Sequence, residues 1–539
     1  MLVGYVSDER YVALSGVEFE FENNGELAAV VTSTPRGAVY ADLEPGPYQV
    51  TLVKAGYGAK CVHVTIDRAT PHQFRLLTDT LLGFVWPKWV RSGDVGEFRV
   101  HSPEAYRLSL WRYGMKREFV RLLGWHDEHG PRATVQITPD GDYSQTGVEW
   151  NRVGYGSPHH TQCTAAPERS GLYYFHAESE SGAFFSFPWV VAPKRAAAPV
   201  ALLASTNTWN AYNNYGGRSN YVCAAGLPPT PIVNARQDLE RYRGGAFFDW
   251  RPADDEYVPL AFERPEPMNH IPQRVEATDP IRGRQGCHLA PAEWRLMAWL
   301  EREGQDYDLY ADYQLHTGEL DLDAYRVLIL STHPEYWSRD MYRRVKTWVD
   351  ERGGRLLYLG GNGINCEVEL DGGAMLCGTQ LVTEDGSLGM PNPENPDEWL
   401  DSRFHRRVES EASLLGVVCT ETGIMTAAPY RVSDGSHWVF EGTGLSTGDV
   451  FGEACLQERC SGGASGHETD KRSAQSPAGT VLLAKGLNPD DGGAEIVFYR
   501  RRSGGAVFSV GSITYPASLL VDPAISRITL NVLERFLQG

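Results

Sequence analysis

Five stretches of this 539-residue chain carry side chains able to bind a ligand or move protons. Ser205 to Tyr221 reads STNTWNAYNNYGGRSNY, with Trp209, Tyr212, Tyr215 and Tyr221 among amides around Gly216-Gly217. Asp255 to Pro265 reads DEYVPLAFERP and holds Tyr257; His333-Pro334-Glu335, Asn362 in Gly360-Gly361-Asn362-Gly363, and Ser465-Gly466-His467-Glu468-Thr469-Asp470 complete the set. Taken singly, each has an ordinary explanation, because most polar loop residues are solvated and a tyrosine beside a glycine turn often just covers a core edge. Their joint placement is what gives them weight. Two chemistries lack their central parts. The Gly360 to Gly363 turn matches neither GxGxxG nor GxxxxGKS, and Glu367 stands where a phosphate site needs a cation. No serine or cysteine sits in a GxSxG or GxCxG elbow, so acyl-enzyme chemistry has no nucleophile and water is left in that role. His159 and His160 are adjacent and would point to opposite sides of an extended segment, which makes them a polar loop rather than a metal pair.

The elements that must position these residues centre on Tyr325 to Asn362. Tyr325 to Leu330 is a branched and aromatic run, as in a strand buried on both faces, and it opens into the loop holding His333 and Glu335. Ser338 then offers an N-cap oxygen. Met341, Val345, Trp348 and Val349 form the apolar stripe of a helix, Gly353-Gly354 stops it, and Arg355 to Leu359 is the next strand. Such a βαβ unit is parallel, and ligands of open parallel sheets sit outside the carboxyl ends of the strands, where His333, Glu335 and Asn362 lie. Val200 to Ala204 and Tyr307 to Tyr310 are further strands, and a helix begins at Pro291. Glu367 to Val450 reads as a long insertion contributing loops. Thr480 to Ala484, Glu495 to Tyr499 and Ala506 to Val510 read as antiparallel strands added at one edge, and Asp522-Pro523 opens a last helix.

Upstream the vocabulary differs. Residues 1–77 and 78–195 show short strands punctuated by turns without helical periodicity, which predicts two β-sandwiches before an α/β domain over 196–539. Ala192 to Pro199, with its two prolines and small residues, is the expected boundary. The formal charge of −19 opposes the phosphate backbone, so nucleic acid is not an expected partner. No apolar run spans a membrane and the first residues lack a signal pattern, so a cytoplasmic protein is expected. Nine cysteines without CxxC spacing argue against a disulfide framework or a thiolate zinc site.

The run Pro45 to Tyr57, PGPYQVTLVKAGY, resembles prealbumin-like modules. The combination WNAYNNYGGRSNY, DEYVPLAFERP, THPEYWS, LGGNG, SGHETD and FSVGSITY resembles the large (beta) subunit family of N,N-dimethylformamidase across residues 200–539. That resemblance implies a mononuclear ferric ion (Fe3+) held by two tyrosinates and a glutamate, in a glutamine-amidotransferase-like (flavodoxin-like) domain that hydrolyses a small N-substituted amide. By motif the ligands are Tyr212, with Tyr215 the alternative, Tyr257 and Glu335; His333, Asn362 and Glu468 act around them or on substrate. By analogy a homo-oligomer is expected; the chain is shorter than that subunit and encodes no small partner subunit.

The chemistry of such a site is coherent in itself. Phenolates and a carboxylate are hard donors that suit ferric iron, whereas zinc would favour His or Cys. Glu468 would serve as proton carrier, Asn362 or His333 as hydrogen-bond donor to the developing oxyanion, a role of about 3 kcal/mol in other enzymes. Phe262, Trp209 and Trp337 are candidates for an apolar wall. Two other readings fit the residues: a carbohydrate-binding protein without catalysis, and a metal-independent hydrolase working through Glu335 and Glu468.

Overall fold

The computed structural model describes residues 1–8, 12–76, 78–126, 162–213, 215, 219–220, 230–231, 259–280, 287–377, 390–392 and 394–538. The architecture is multidomain and rich in β-structure. The first unit pairs the antiparallel strands Glu18–Asn23, Glu26–Thr32, Gly46–Val53 and Lys60–Ile66 into one sheet, and Leu2–Ser7, Ala38–Tyr40 and His72–Arg75 into a second. Alternation explains it: in EFEFEN, Phe19 and Phe21 are buried with Val50, Leu52 and Phe74, while Glu18 faces solvent.

A second pair of sheets follows. Leu82–Trp86, Val95–His101 and Gln162–Ala165 form one; Trp89–Arg91, Tyr106–Tyr113, Arg117–His126, Gly171–Ser179 and Phe184–Ala192 form the other, around Phe98, Phe175, Phe187 and Trp189. Part of the outer face of the larger sheet is also buried, because Tyr113, Leu172, Tyr174 and Val190 belong to the core of the C-terminal part. Charges cross the same joint. Lys88 Nζ lies 2.5 Å from Glu266 and donates to the Arg264 carbonyl at 2.8 Å, and Arg112 Nη2 donates to Glu301 at 2.6 Å. Burial outweighs its partners at Lys88 and pulls the ammonium down to about 8.

The C-terminal part is built on one nine-stranded sheet. Its strands are β1 Val200–Ala204, β2 Tyr307–Ala311, β3 Val327–Thr332, β4 Arg355–Gly360, β5 Tyr430–Val432, β6 Val450–Phe451, β7 Val481–Gly486, β8 Glu495–Arg500 and β9 Ala506–Ser509, in spatial order 2-1-3-4-9-8-7-5-6. The first five in that order are parallel and the rest antiparallel. The helices are α1 Thr206–Tyr212, α2 Ala290–Arg302, α3 Asp312–Thr317, α4 Arg339–Arg352 and α5 Pro523–Gln538, with a further α-helical turn at Ala412–Leu415. Alternate residues of β1, β3 and β4 enter two cores. Leu202, Ile329 and Leu357 face α2 and α5; Leu203, Leu330 and Tyr358 face α4. Burial on both faces is why these strands are continuous apolar runs. Helix α4 ends as its sequence dictates: Ser338 Oγ accepts from Met341 N at 3.3 Å, and Gly353 takes φ +77°.

Three expectations are corrected. Ala506–Ser509 is antiparallel only to β8; a tight turn through Ser503-Gly504-Gly505 lays it parallel beside β4. The insertion is not only loops, because β5 extends the sheet and Phe404, Leu414 and Val417 fill the α4-side core. Trp337 is no wall of a cleft: it is fully buried with Met341 and Ile364 in that same core.

Candidate active site

The order 2-1-3 makes the chain wind to opposite sides of β1, with α2 on one face of the parallel sheet and α4 on the other, and the carboxyl ends of β1 and β3 at such a switch point are where ligands of open parallel sheets sit. After β1 comes α1, whose amides are spent on structure. Asn207 Nδ2 donates to the Tyr336 carbonyl at 3.1 Å, Asn210 Nδ2 to Leu260 O at 3.1 Å, and Asn213 Nδ2 to Pro265 O at 2.8 Å. The buried Arg264 guanidinium returns bonds to Asn210 O, Tyr215 O and Ala261 O at 3.1, 2.8 and 2.9 Å. These contacts fix the last turn of α1, and with it Tyr212.

The Tyr212 hydroxyl donates to Glu335 Oε2 at 2.9 Å. Glu335 is itself held: its N–H donates to Thr208 Oγ1 at 3.1 Å and its carbonyl accepts from Cys366 N at 3.0 Å. His333 Nε2 lies 3.2 Å from Glu335 Oε2 and 3.1 Å from Glu468 Oε2, so one imidazole is shared by two carboxylates from segments far apart in the chain. Burial alone would push the His333 imidazole down; Glu468 and Glu335 outweigh it and hold it well above its ordinary value. The reverse holds at Glu468, where burial raises the carboxyl and His333 then pulls it below the usual carboxylate range. The Glu468 side chain retains 19% exposure, which makes it the edge of the site open to solvent.

The backbone here is strained where it delivers these groups. Thr332, Asn362, Ile364 and His467 take φ of +61°, +50°, +56° and +70°, and such outliers concentrate at functional sites. Asp470 secures the Asn362 turn: Oδ1 accepts from Asn362 N at 2.8 Å and Oδ2 from the Tyr358 hydroxyl at 2.7 Å. Burial raises the Asp470 carboxyl to about 6. The Gly360-Gly361 pair serves packing, since a Cβ on Gly361 would stand 2.7 Å from Glu468 O. Ser512, from the FSVGSITY run, accepts from Gly466 N at 2.8 Å and anchors the His467-Glu468 loop.

Of the residues singled out by sequence, Tyr212, His333, Glu335 and Glu468 are thus brought into direct contact, with Asn362 on the adjoining turn. Tyr215 is placed elsewhere, packed against Phe84 of the second sandwich. Tyr257 lies outside the described residues. Trp209 and Phe262 are buried in the core beneath α1, and the Trp209 indole donates to Glu293 at 2.9 Å. Sequence reading missed His288, whose ring meets Tyr212 edge-on at 4.5 Å and approaches His333 and His467 at 5.4 Å each. The Cys-His step ahead of the Pro291 helix was its only visible sign.

The donor chemistry at Tyr212 and Glu335 suits a hard cation, because both offer oxygen. The buried atoms His333 Nδ1 and Asn362 Oδ1 make no hydrogen bond among the described residues, and a buried polar group in that state calls for a physical account, whether a ligand, an ordered water or strain.

Residues 104–526 match the family described as N,N-dimethylformamidase beta subunit-like, C-terminal. The N,N-dimethylformamidase beta subunits of Alcaligenes sp and Paracoccus aminophilus are each 26% identical over 401 residues, 65% of this chain and 50% of theirs. The chain therefore spans about half the length of these curated relatives. Among solved structures, the Bacillus anthracis TIE protein overlaps 35% of this chain and 31% of its own at 16% identity, with a TM-score of 0.12, too low to bear on the fold. On the family match, which covers most of its length, this chain belongs to the N,N-dimethylformamidase beta subunit-like, C-terminal family.

Proposed function

We propose that this protein hydrolyses a small N-substituted amide, of the dimethylformamide kind, to a carboxylic acid and an amine, with water as nucleophile. The observation that carries this reading is the meeting of Tyr212, Glu335, His333 and Glu468 at the carboxyl ends of β1 and β3. Family membership and the relatives' names support amide hydrolysis. The parallel order 2-1-3-4-9 supports a flavodoxin-like, amidotransferase-like reading of the sheet.

Tyr212, Tyr257 and Glu335 would hold a mononuclear ferric ion, which when bound polarises an amide carbonyl and acidifies water. Glu468, at the solvent edge, takes a proton from the attacking water and passes one to the amine nitrogen, so that the C–N bond breaks with the amine leaving neutral. Asn362 donates to the carbonyl oxygen as negative charge develops on it. His333, bridging both carboxylates, fixes their separation and screens their repulsion. The relatives are named as subunits, which supports assembly with further copies or an accessory chain.

The test is metal analysis and visible absorption of the purified protein together with turnover of a panel of formamides and other short amides. Iron with a tyrosinate charge-transfer band and amide turnover is the expected result. Full activity in iron-free protein would overturn the metal assignment; no turnover of any short amide by iron-loaded protein would overturn the substrate class.

A further inference from the structure

Beside the oxygen-donor set lies a cluster of different chemistry. Cys287 Sγ, a His288 nitrogen and a His467 nitrogen lie within 4.8 Å of one another, and all three residues are buried. Cys287 and His288 are chain neighbours, yet Sγ is 3.2 Å from Nδ1, so the turn ahead of α2 brings both side chains to one side. His467 arrives from the distant Ser465 to Asp470 loop, its ring at 84° to that of His288. A Cys–His hydrogen bond joins the first two groups, and the second imidazole reaches them from a segment far along the chain. Arg459 Nη1 stands 3.6 Å from the sulfur, and a guanidinium there favours the thiolate, as donors around metal-bound sulfur do.

The spacing suits a tetrahedral ion. Bonds of about 2.3 Å to sulfur and about 2.0 Å to nitrogen separate donors by roughly 3.3–3.6 Å, within the span observed. Sulfur with imidazole selects zinc over the harder ferric ion. The absence of CxxC spacing speaks only to sites built from paired cysteines; one thiolate with two imidazoles from distant segments escapes it. We propose that Cys287, His288 and His467 form a zinc site adjoining the Tyr212–Glu335 pair and distinct from it, with the fourth position left to water or a substrate atom. The proposal does not depend on the iron reading.

The probe is Co2+ added to chelator-treated full-length protein, followed by Zn2+ competition. A stoichiometric near-ultraviolet thiolate-to-cobalt band that zinc abolishes is expected. Cys287→Ser should lose the band, and His467→Asn, which tolerates positive φ, should weaken zinc binding by about 100-fold or more. Circular dichroism and thermal unfolding verify that both variants fold; should either fail to, the wild-type cobalt band still decides. Tyr212→Phe should keep the band while losing iron. No thiolate band in folded wild-type protein, a band that survives Cys287→Ser, or unchanged zinc affinity in folded His467→Asn would overturn the proposal. Loss of the band in Tyr212→Phe would also overturn it, by showing a single shared site. Protein that carries no iron as purified, before any chelator, and still gives the cobalt band after treatment would overturn the iron reading alone.

Discussion

Tyr212 and Glu335, 123 positions apart, meet in a 2.9 Å hydrogen bond because α1 follows β1 and the Glu335 loop follows β3 in adjacent strands of one parallel sheet. If both are ligands of one ion, Tyr212→Phe and Glu335→Gln should each lower iron affinity by more than the roughly 10- to 100-fold typical of outer partners. Metal content after dialysis and the visible band measure this. Wild-type occupancy in both variants removes the assignment.

Among the described residues, Glu468 reaches the Tyr212–Glu335 pair through His333 and keeps access to solvent. Glu468→Gln should therefore retain iron while kcat falls by about 10²- to 10⁴-fold, the usual span for a general acid–base group. Wild-type kcat would strip Glu468 of its proton-carrying part.

Asn362 sits at positive φ, so alanine there would confuse backbone strain with lost chemistry. Asn362→Gly relaxes the backbone and deletes only the amide. We expect an unfolding temperature within a few degrees of wild type and kcat lower by about 10²- to 10³-fold. Unchanged kcat would rule out a donor role.

Glu293 gives a pH dependence of stability. It is fully buried and accepts from Ser205 N and the Trp209 indole, and burial holds its carboxyl at about 8 against an ordinary 4.5. Between those values the unfolded chain has released this proton and the folded chain retains it. Stability from this group is thus complete below about pH 4.5 and declines as pH rises toward 8, by on the order of a few kcal/mol. Glu293→Gln should flatten that decline. Thermal midpoints across this range check it, and an equally steep decline in the variant would contradict it.

Lys88 and Glu266 form a buried ion pair across the sandwich joint. Lys88→Met should destabilise by about 3–5 kcal/mol through the carboxylate left behind, and adding Glu266→Gln should recover much of that loss. Denaturation of the single and double variants decides; additive losses would deny the coupling.

Much of this was legible in the chain. The apolar runs of β1, β3 and β4, the Ser338 cap and the Gly353 stop are local signals, and the structure places those elements where the pattern put them. The segments carrying Tyr212, Glu335 and Glu468 stood out because polar and aromatic residues interrupt apolar periodicity there. What escaped detection depends on contacts between distant segments. Glu293 looks like any acidic residue in a first helical turn, Asp470 like a loop carboxylate, and His288 has no periodic context at all. The amides of Asn207, Asn210 and Asn213 looked functional and are structural, because an irregular segment such as Leu260 to Pro265 must find its hydrogen bonds from side chains.

The proline-rich stretch near residue 195 marks a change of pattern but not a seam. Trp294 reaches across it to the Gly114 carbonyl, and the counter-ion of Glu266 comes from Lys88, upstream of the stretch that defines the family. A protein cut to start at residue 104 would keep the recognisable region and lose the cation beneath Arg264. A relative in which another sheet replaces Leu82–Trp86 and Trp89–Arg91 must bring a substitute positive charge to that spot, or shed the acid it neutralises.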